Sequence, residues 1–170
     1  MKKLSLFAIF CFSLLGSSCR ADSDPRVVSE LDLGKYAGHW FEIGHNPNFF
    51  QRNCERSSAE YTARPDGSIG VVNTCFRDNK PYSSIEGVAT VVNAAEPAKL
   101  IVDFGFFRRG DYWVVALDKD YQWAVVSGPG KSSLFILARK APMDPSLLSS
   151  ILKALAAEGF DTSNIVFDKY

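Results

Sequence analysis

Short hydrophobic stretches recur between residues 40 and 139, and turn-forming residues separate each stretch from the next. The clearest turn is Pro65-Asp66-Gly67-Ser68, a composition that favours a tight hairpin. Gly87 falls inside the longest stretch, where it predicts a bulge or a bend. The pattern predicts eight β-strands, at 40–45, 57–64, 69–76, 83–93, 100–104, 112–117, 123–127 and 133–139.

No helical pattern alternates with these strands, which excludes a parallel βαβ sheet. Eight consecutive antiparallel strands fit either a sandwich or an up-and-down barrel. A barrel of this strand number has an interior that can hold one small ligand. We therefore expect an all-β fold, with the eight-stranded antiparallel up-and-down β-barrel as the architecture that the motifs below favour.

One α-helix is predicted after the strands. Asp144 is its N-cap, Pro145 occupies its first turn and Gly159 ends it. Its leucines and isoleucine fall on one stripe, which predicts a C-terminal helix packed on the outside of the barrel. An amphipathic membrane helix is the alternative, but its polar face has only Lys153 as a cation. Residues 164–167 are predicted to form a short last strand at a sheet edge.

The composition suits one exported domain. Hydrophobic residues make up 46% of the 170-residue chain, enough for a substantial core. Lys and Arg number 19, as do Asp and Glu, so no basic excess indicates nucleic-acid binding. The 13 Phe, 6 Tyr and 3 Trp exceed what packing alone requires and indicate an apolar cavity.

The N-terminus has the features of a secretory signal: Met1-Lys2-Lys3 is positively charged, residues 4–15 are apolar, and small residues follow. We assign 1–21 to this signal, 22–30 to a polar tether and 31–170 to the folded domain. The predicted location is therefore exported: the periplasm or outer membrane in a bacterium, and otherwise secreted.

Two modes of cleavage remain open. Cleavage after Ala21 or Ser18 would release a soluble protein. A bacterial lipoprotein signal would instead make Cys19 the first residue and attach lipid to it, which would anchor the protein to a membrane. Gly16 stands where that second pattern requires an aliphatic residue.

Export also bears on the cysteines of the domain, because an oxidising compartment favours their pairing. Cys54 and Cys75 are the two that lie within 31–170, and we predict a disulfide between them. Two unpaired buried thiols are the alternative.

Motifs for catalysis or metal binding are incomplete. Residues 128–133 resemble a phosphate-binding loop, but Val125 stands where that loop needs glycine. His39 and His45 are the only histidines, too few for a histidine-based metal site or catalytic triad, although a haem on one histidine remains an option. We therefore predict no metal, no cofactor and no catalytic residue, which favours a binding protein.

Gly38 and Trp40 form a Gly-x-Trp motif at the start of the first strand. Glycine permits a tight backbone turn there, and the indole is large enough to close one end of a barrel. Residues 36–43 around this motif resemble the first signature of the lipocalin family, residues 112–121 the second and residues 134–139 the third. The likeness spans roughly residues 32–168 and is closest to bacterial outer-membrane lipocalins and apolipoprotein D-like lipocalins.

The resemblance implies a barrel that is closed at the Trp40 end and open at the other. In the family the arginine of the third signature stacks on the signature tryptophan, so Arg139 is expected to lie over Trp40. A guanidinium over an indole gains about 1 kcal/mol and can also donate to nearby carbonyls.

The resemblance also implies a function: non-enzymatic binding, storage or transport of a lipophilic small molecule, with fatty acids or lysophospholipids as the favoured class. Envelope lipid maintenance and peripheral or lipid-anchored membrane association are the corresponding expectations. One alternative is an enzyme acting on a bound isoprenoid or lipid, for which Glu42, Glu86, Tyr112 and the cysteines offer chemical groups. Another is an interaction module with a filled core.

The candidate ligand contacts come from the later strands and the first loop. Strand alternation groups side chains by face but does not say which face points inward. The predicted cavity residues are Phe104, Phe106, Tyr112, Val114 and Trp123. Phe49 and Phe50 lie in the loop after the first strand, where they either form an entrance lid or tuck under the loop.

Overall fold

The chain folds into a closed β-barrel with a short helix before it and a longer helix after it. The computed structural model describes residues 24–106 and 108–170. The strands are β1 (Gly38–His45), β2 (Arg56–Ala63), β3 (Ile69–Arg77), β4 (Lys80–Val91), β5 (Lys99–Asp103), β6 (Arg109–Leu117), β7 (Trp123–Ser127), β8 (Leu134–Ala138) and β9 (Val166–Phe167). Within the described residues the α-helices are α1 (Leu33–Tyr36) and α2 (Pro145–Ala157), and one 3-10 turn covers Pro129–Lys131. The predicted signal and Cys19 lie outside the described residues.

Each strand from β1 to β8 pairs antiparallel with the next, and β1 pairs with both β2 and β8 to close the ring. Gly38 lies opposite Tyr61 of β2, while Phe41 lies opposite Ala138 of β8. This ring confirms the predicted up-and-down barrel and excludes the sandwich. Gly87 does not produce a bulge; instead, Phe104 packs where a Cβ would stand, 2.7 Å away.

Hydrophobic side chains form two clusters, one on each side of the barrel wall. The interior cluster includes Trp40, Tyr61, Val71, Leu100, Val114 and Val126. The outer cluster, against which α2 packs, includes Ile43, Val125, Ile136, Met143, Ile151 and Leu155. Asp144 caps α2 by accepting hydrogen bonds from the Ser146 and Leu147 amides, as predicted. Among the described residues, no helix has the length and apolar character needed to cross a membrane.

A stack of Arg139 on Trp40 closes one end of the barrel, which we call the floor. The Arg139 Cζ lies 3.8 Å from the centroid of the Trp40 ring, and the Trp40 side chain is fully buried. The same guanidinium donates hydrogen bonds of 2.8 Å to the carbonyls of Lys35, Ala37 and His39. The predicted stack is therefore present, and it holds the chain between α1 and β1.

Gly38 makes this arrangement possible. Its φ is +97°, a backbone conformation that residues other than glycine rarely adopt. A Cβ at this position would also lie 3.3 Å from Arg139 Nη1. The Trp40 indole nitrogen donates to the Tyr36 carbonyl at 2.8 Å, which also holds the ring at its edge.

The segment that precedes the barrel is attached to it. Pro25 is buried, and the Val28 amide donates to the Val114 carbonyl at 3.0 Å. Asp24 accepts a hydrogen bond from the Gly130 amide. Residues 24–30 of the predicted tether therefore lie along the barrel wall instead of extending away from it.

The predicted disulfide between Cys54 and Cys75 is confirmed, with the sulfur atoms 2.08 Å apart. It connects the loop after β1 to β3. The alternative of two free thiols is excluded.

The C-terminus is held by a buried cluster of ionisable groups. β9 pairs with the second half of β1, beyond the point where β2 leaves that strand. His45 Nδ1 lies 2.8 Å from Glu42 Oε1 and 3.7 Å from Asp168 Oδ1. Asp168 also accepts a hydrogen bond from the Ser57 amide at 2.5 Å, which ties the C-terminal segment to β2.

Burial of this cluster shifts its titration. Burial, together with the negative charge of Glu42, raises the pKa of Asp168 to about 7, although hydrogen bonding and nearby cations oppose the shift. Burial alone would lower the pKa of His45, but Glu42 and Asp168 together raise it. Both groups therefore bind a proton more tightly in the folded chain than in the unfolded chain.

Arg139→Ala is expected to lower the free energy of unfolding by about 3 kcal/mol, because the stack and several charged hydrogen bonds are lost together. Arg139→Lys should recover part of this, since an ammonium keeps the charge but cannot stack flat and reach all the carbonyls. Urea unfolding followed by tryptophan emission measures both changes. The control is Lys140→Ala at the exposed neighbour, and an Arg139→Ala variant as stable as this control would contradict the prediction.

Stability is expected to fall as pH rises from about 4 to about 7, because the unfolded chain releases the Asp168 proton first. His45 adds a fall in the same direction as pH rises from about 6.5 through its raised folded pKa. Asp168→Asn should flatten this part of the profile. Chemical unfolding at several pH values checks it against Asp111→Asn, an exposed aspartate. Equal slopes in the Asp168→Asn protein and the parent would refute the assignment.

Candidate functional site

The barrel interior contains a small apolar cavity above the floor. Its lining combines aliphatic side chains with three tyrosines, including Leu31, Tyr36, Tyr61, Val71, Leu100 and Tyr112. The cavity volume is about 10 Å³, which is room for about one water molecule. Side chains therefore fill most of the interior, and a larger ligand requires them to rearrange.

Three tyrosine hydroxyls meet inside the barrel. The Tyr112 hydroxyl lies 2.7 Å from that of Tyr36 and 2.9 Å from that of Tyr61. The Tyr36 and Tyr61 rings stack with centroids 5.6 Å apart, and Tyr112 meets both rings edge-on. Burial raises the pKa of all three hydroxyls, so they are neutral at physiological pH. They can donate to or accept from a polar ligand atom but cannot act as a base in this state.

The predicted cavity residues divide between the two sides of the wall. Tyr112 lines the cavity and Val114 is fully buried in the interior cluster, against which Phe104 also packs. Trp123 lies in the outer cluster beside α2, so its prediction as a cavity residue is wrong. The reason is the alternation of β7, whose residues Ala124 and Val126 point inward.

The prediction that Phe106 lines the cavity is also wrong. It lies at the tip of the β5–β6 turn and is 92% exposed, outside the interior cluster. Sequence reasoning missed Tyr36 and Tyr61, which contribute two of the three interior hydroxyls. Strand alternation puts Tyr61 and Ala59 on the same face of β2. It does not say whether that face is buried, and only the position of β2 in the barrel shows that it is.

Phe49 and Phe50 project from the β1–β2 loop into solvent, with exposed fractions of 69% and 82%. They do not tuck under the loop, which excludes that alternative. The base of the loop is fixed, because Gln51 donates to Glu42 Oε1 at 2.6 Å and to the Ser57 hydroxyl at 3.1 Å. Whether the two rings act as a lid stays a prediction.

Glu42, His45 and Asp168 bring one potential ligand atom each within 4.8 Å of one another, a spacing that a metal ion could use. Their contacts also fit a role without metal. Gln51 donates to Glu42, the Ser57 amide donates to Asp168, and a protonated His45 would balance part of the negative charge. The cluster is therefore explained by its role in attaching the C-terminal segment to β1 and β2. That the protein binds no metal stays a prediction.

A second depression, of about 390 Å³, lies outside the floor. Charged and polar side chains dominate its lining, among them Lys35, Asp120, Gln122 and Arg139. This lining does not match a lipophilic molecule, so the interior remains the candidate site.

Comparison with known proteins places the barrel in a family. A family model described as a lipocalin-like domain matches residues 31–169. The outer membrane lipoprotein Blc of Escherichia coli K12 is 33% identical over 171 residues, covering 98% of this chain and 97% of that protein. Temperature-induced lipocalin-1 of Arabidopsis thaliana is 36% identical, covering 84% and 81%. Apolipoprotein D of Macaca fascicularis is 32% identical, covering 84% and 79%.

Solved structures agree with this fold. Insecticyanin from Manduca sexta superposes with a TM-score of 0.69 over 87% of this chain and 84% of that one, at 19% identity. The predicted export is also supported, because the bacterial relatives are named as outer membrane lipoproteins. With its ring of eight strands, its Trp40–Arg139 floor and these relatives, the chain belongs to the lipocalin family.

Proposed function

We propose that the protein binds a lipophilic small molecule in its barrel without catalysing a reaction, and that it stores or transports this molecule. A fatty acid or a lysophospholipid is the class that fits best. The observation that carries the proposal is the apolar, tyrosine-lined interior, which the Trp40–Arg139 stack closes at one end.

The driving force is the removal of an acyl chain from water. Each methylene that is buried contributes about 0.8 kcal/mol. In the observed conformation the interior has too little space for such a chain, although the strand number and the aromatic content predict a cavity for one small ligand. Interior side chains such as Tyr112 and Phe104 must therefore turn, and the cost of their movement is subtracted from the affinity.

The position of the head group follows from the charges. The interior cluster consists of apolar and tyrosine side chains, where an ionised head group would lose its hydration. Exposed arginines at the open end, among them Arg52 and Arg108, offer partners for a carboxylate or phosphate. An acyl chain directed toward the floor would leave its head group at this end.

The relatives support a role in the cell envelope or outside the cell. The bacterial ones are named as outer membrane lipoproteins and the animal ones as apolipoprotein D. We extend this to envelope lipid maintenance for the present chain, with lipidation at Cys19 as one route to the membrane.

The side chains that could act as catalytic groups in the alternative, an enzyme, are occupied, neutral or outside the cavity. Cys54 and Cys75 are joined in the disulfide, and Tyr112 is neutral. Glu86 is exposed on β4, and Glu42 belongs to the ion cluster. Conversion of a co-purified lipid by the protein would support the enzyme instead.

Delipidated protein is expected to bind a fluorescent fatty acid or a lysophospholipid at micromolar concentration, with quenching of tryptophan emission. Ala89→Trp should weaken binding at least about tenfold, because Ala89 lines the cavity and an indole would fill it. Ala89→Leu is a milder variant in case the larger side chain disturbs folding. Ala94→Trp in an exposed turn is the control.

Failure of the delipidated parent to bind either lipid would overturn the proposal. Equal binding by a folded Ala89→Trp protein and its control would place the ligand outside the barrel. Native mass spectrometry of the exported protein provides an independent measure, because it reports any lipid that remains bound.

A further inference from the structure

Among the described residues, four aromatic side chains are exposed at the open end of the barrel. They lie in or beside the β1–β2, β3–β4 and β5–β6 connections, which in an up-and-down barrel all lie at the end opposite the floor. The exposed fractions are 69% for Phe49, 82% for Phe50, 56% for Tyr82 and 92% for Phe106. We call these three connections, with the residues that flank them, the mouth rim.

The backbone at Phe106 makes this exposure notable. Its φ is +46°, and the preceding Gly105 has a φ of +71°. A bulky side chain in this left-handed region costs about 1 kcal/mol, and glycine or asparagine would be the usual occupant of such a turn. Burial within the chain does not offset the cost, since the ring is almost fully exposed. A contact outside the chain would explain why an aromatic ring is held there.

The charges of the mouth rim add a second observation. The rim carries six cationic side chains against three carboxylates, a net charge of +3. The cations are Arg52, Arg56, Arg77, Lys80, Arg108 and Arg109, and the carboxylates are Glu55, Asp78 and Asp103. The β2–β3, β4–β5 and β6–β7 connections at the floor, counted with their flanking residues, carry three cations, Arg64, Lys99 and Lys119, against four carboxylates, Asp66, Glu96, Asp118 and Asp120. Of these two sets of connections, the one at the mouth therefore has the positive excess.

Cations and rings also lie next to each other on the rim. The Arg52 guanidinium lies 4.1 Å from the centroid of the Phe49 ring, and that of Arg77 lies 5.9 Å from the Tyr82 ring. Arg109 is paired with Asp103 at 3.3 Å. Aromatic rings interspersed with arginine and lysine are the composition that binds the interface of an anionic membrane.

We propose that the mouth rim docks on an anionic phospholipid bilayer, with its rings at the boundary between head groups and acyl chains and its cations on lipid phosphates. A bilayer is favoured over a protein because the rings project from separate turns. Such turns can insert independently into a fluid surface. The inference builds on the proposed function, since a docked mouth would let a lipid pass between bilayer and barrel without crossing water.

The experiment measures cosedimentation of the full exported chain with vesicles. Cys19→Ser removes any acyl chain from the comparison. Binding to vesicles of phosphatidylcholine with phosphatidylglycerol should exceed binding to pure phosphatidylcholine by at least about tenfold and should weaken with added salt.

Two sets of substitutions test the two parts of the rim. Phe49→Ser, Phe50→Ser and Phe106→Ser combined should weaken vesicle binding more than about tenfold. Arg77→Glu with Arg108→Glu should weaken binding to the anionic vesicles about twentyfold or more, since each cation contributes about fivefold. Val92→Ser and Lys140→Glu are the matched controls, because both residues are exposed and lie near the floor.

The fatty acid probe in solution separates this inference from the proposed function. Rim variants that bind the probe normally but no longer bind vesicles support docking. Control variants that lose vesicle binding equally, or a parent that does not bind anionic vesicles, would refute it. Concentration-dependent dimerisation that only the phenylalanine substitutions abolish, without vesicle binding by the parent, would assign the rim to a second copy of the chain.

Discussion

The contact between Arg139 and Trp40 is the interaction on which the rest of the structure depends. It joins the last strand of the ring to the first, and the same guanidinium holds the carbonyls of the turn between α1 and β1. A single planar cation can do this because one face stacks on the indole while its edge donates to several acceptors. Gly38 leaves the space that the guanidinium needs.

Because the Trp40–Arg139 stack closes the floor, the two ends of the barrel differ. The interior is then reached from the opposite end, where the loops carry exposed rings and an excess of arginine and lysine. The interior itself is apolar, with three neutral tyrosine hydroxyls as its polar feature. The apolar interior and the mouth rim therefore lie next to each other, as the proposed transfer of a lipid between a bilayer and the barrel requires.

Because side chains fill most of the interior, a ligand can bind there only if some of these side chains move. Tyr36, Tyr61 and Tyr112 are bonded to one another, so a ligand that enters must replace those hydrogen bonds or pass beside them. The ion cluster of Glu42, His45 and Asp168 lies on β1 and at the C-terminus, where it fixes the loop base and the last strand.

The sequence by itself predicted the eight strands, the helix after them and the disulfide, whereas the stack of Arg139 on Trp40 was expected from the resemblance to lipocalins. Turn residues, hydrophobic runs, capping residues and signature motifs are local and can be read along the chain. The sequence did not determine which face of each strand points inward, because alternation has two equivalent phases. Only closure of the barrel put Tyr112 inside and Trp123 outside, brought three tyrosines from distant segments together, and left Phe106 on the rim.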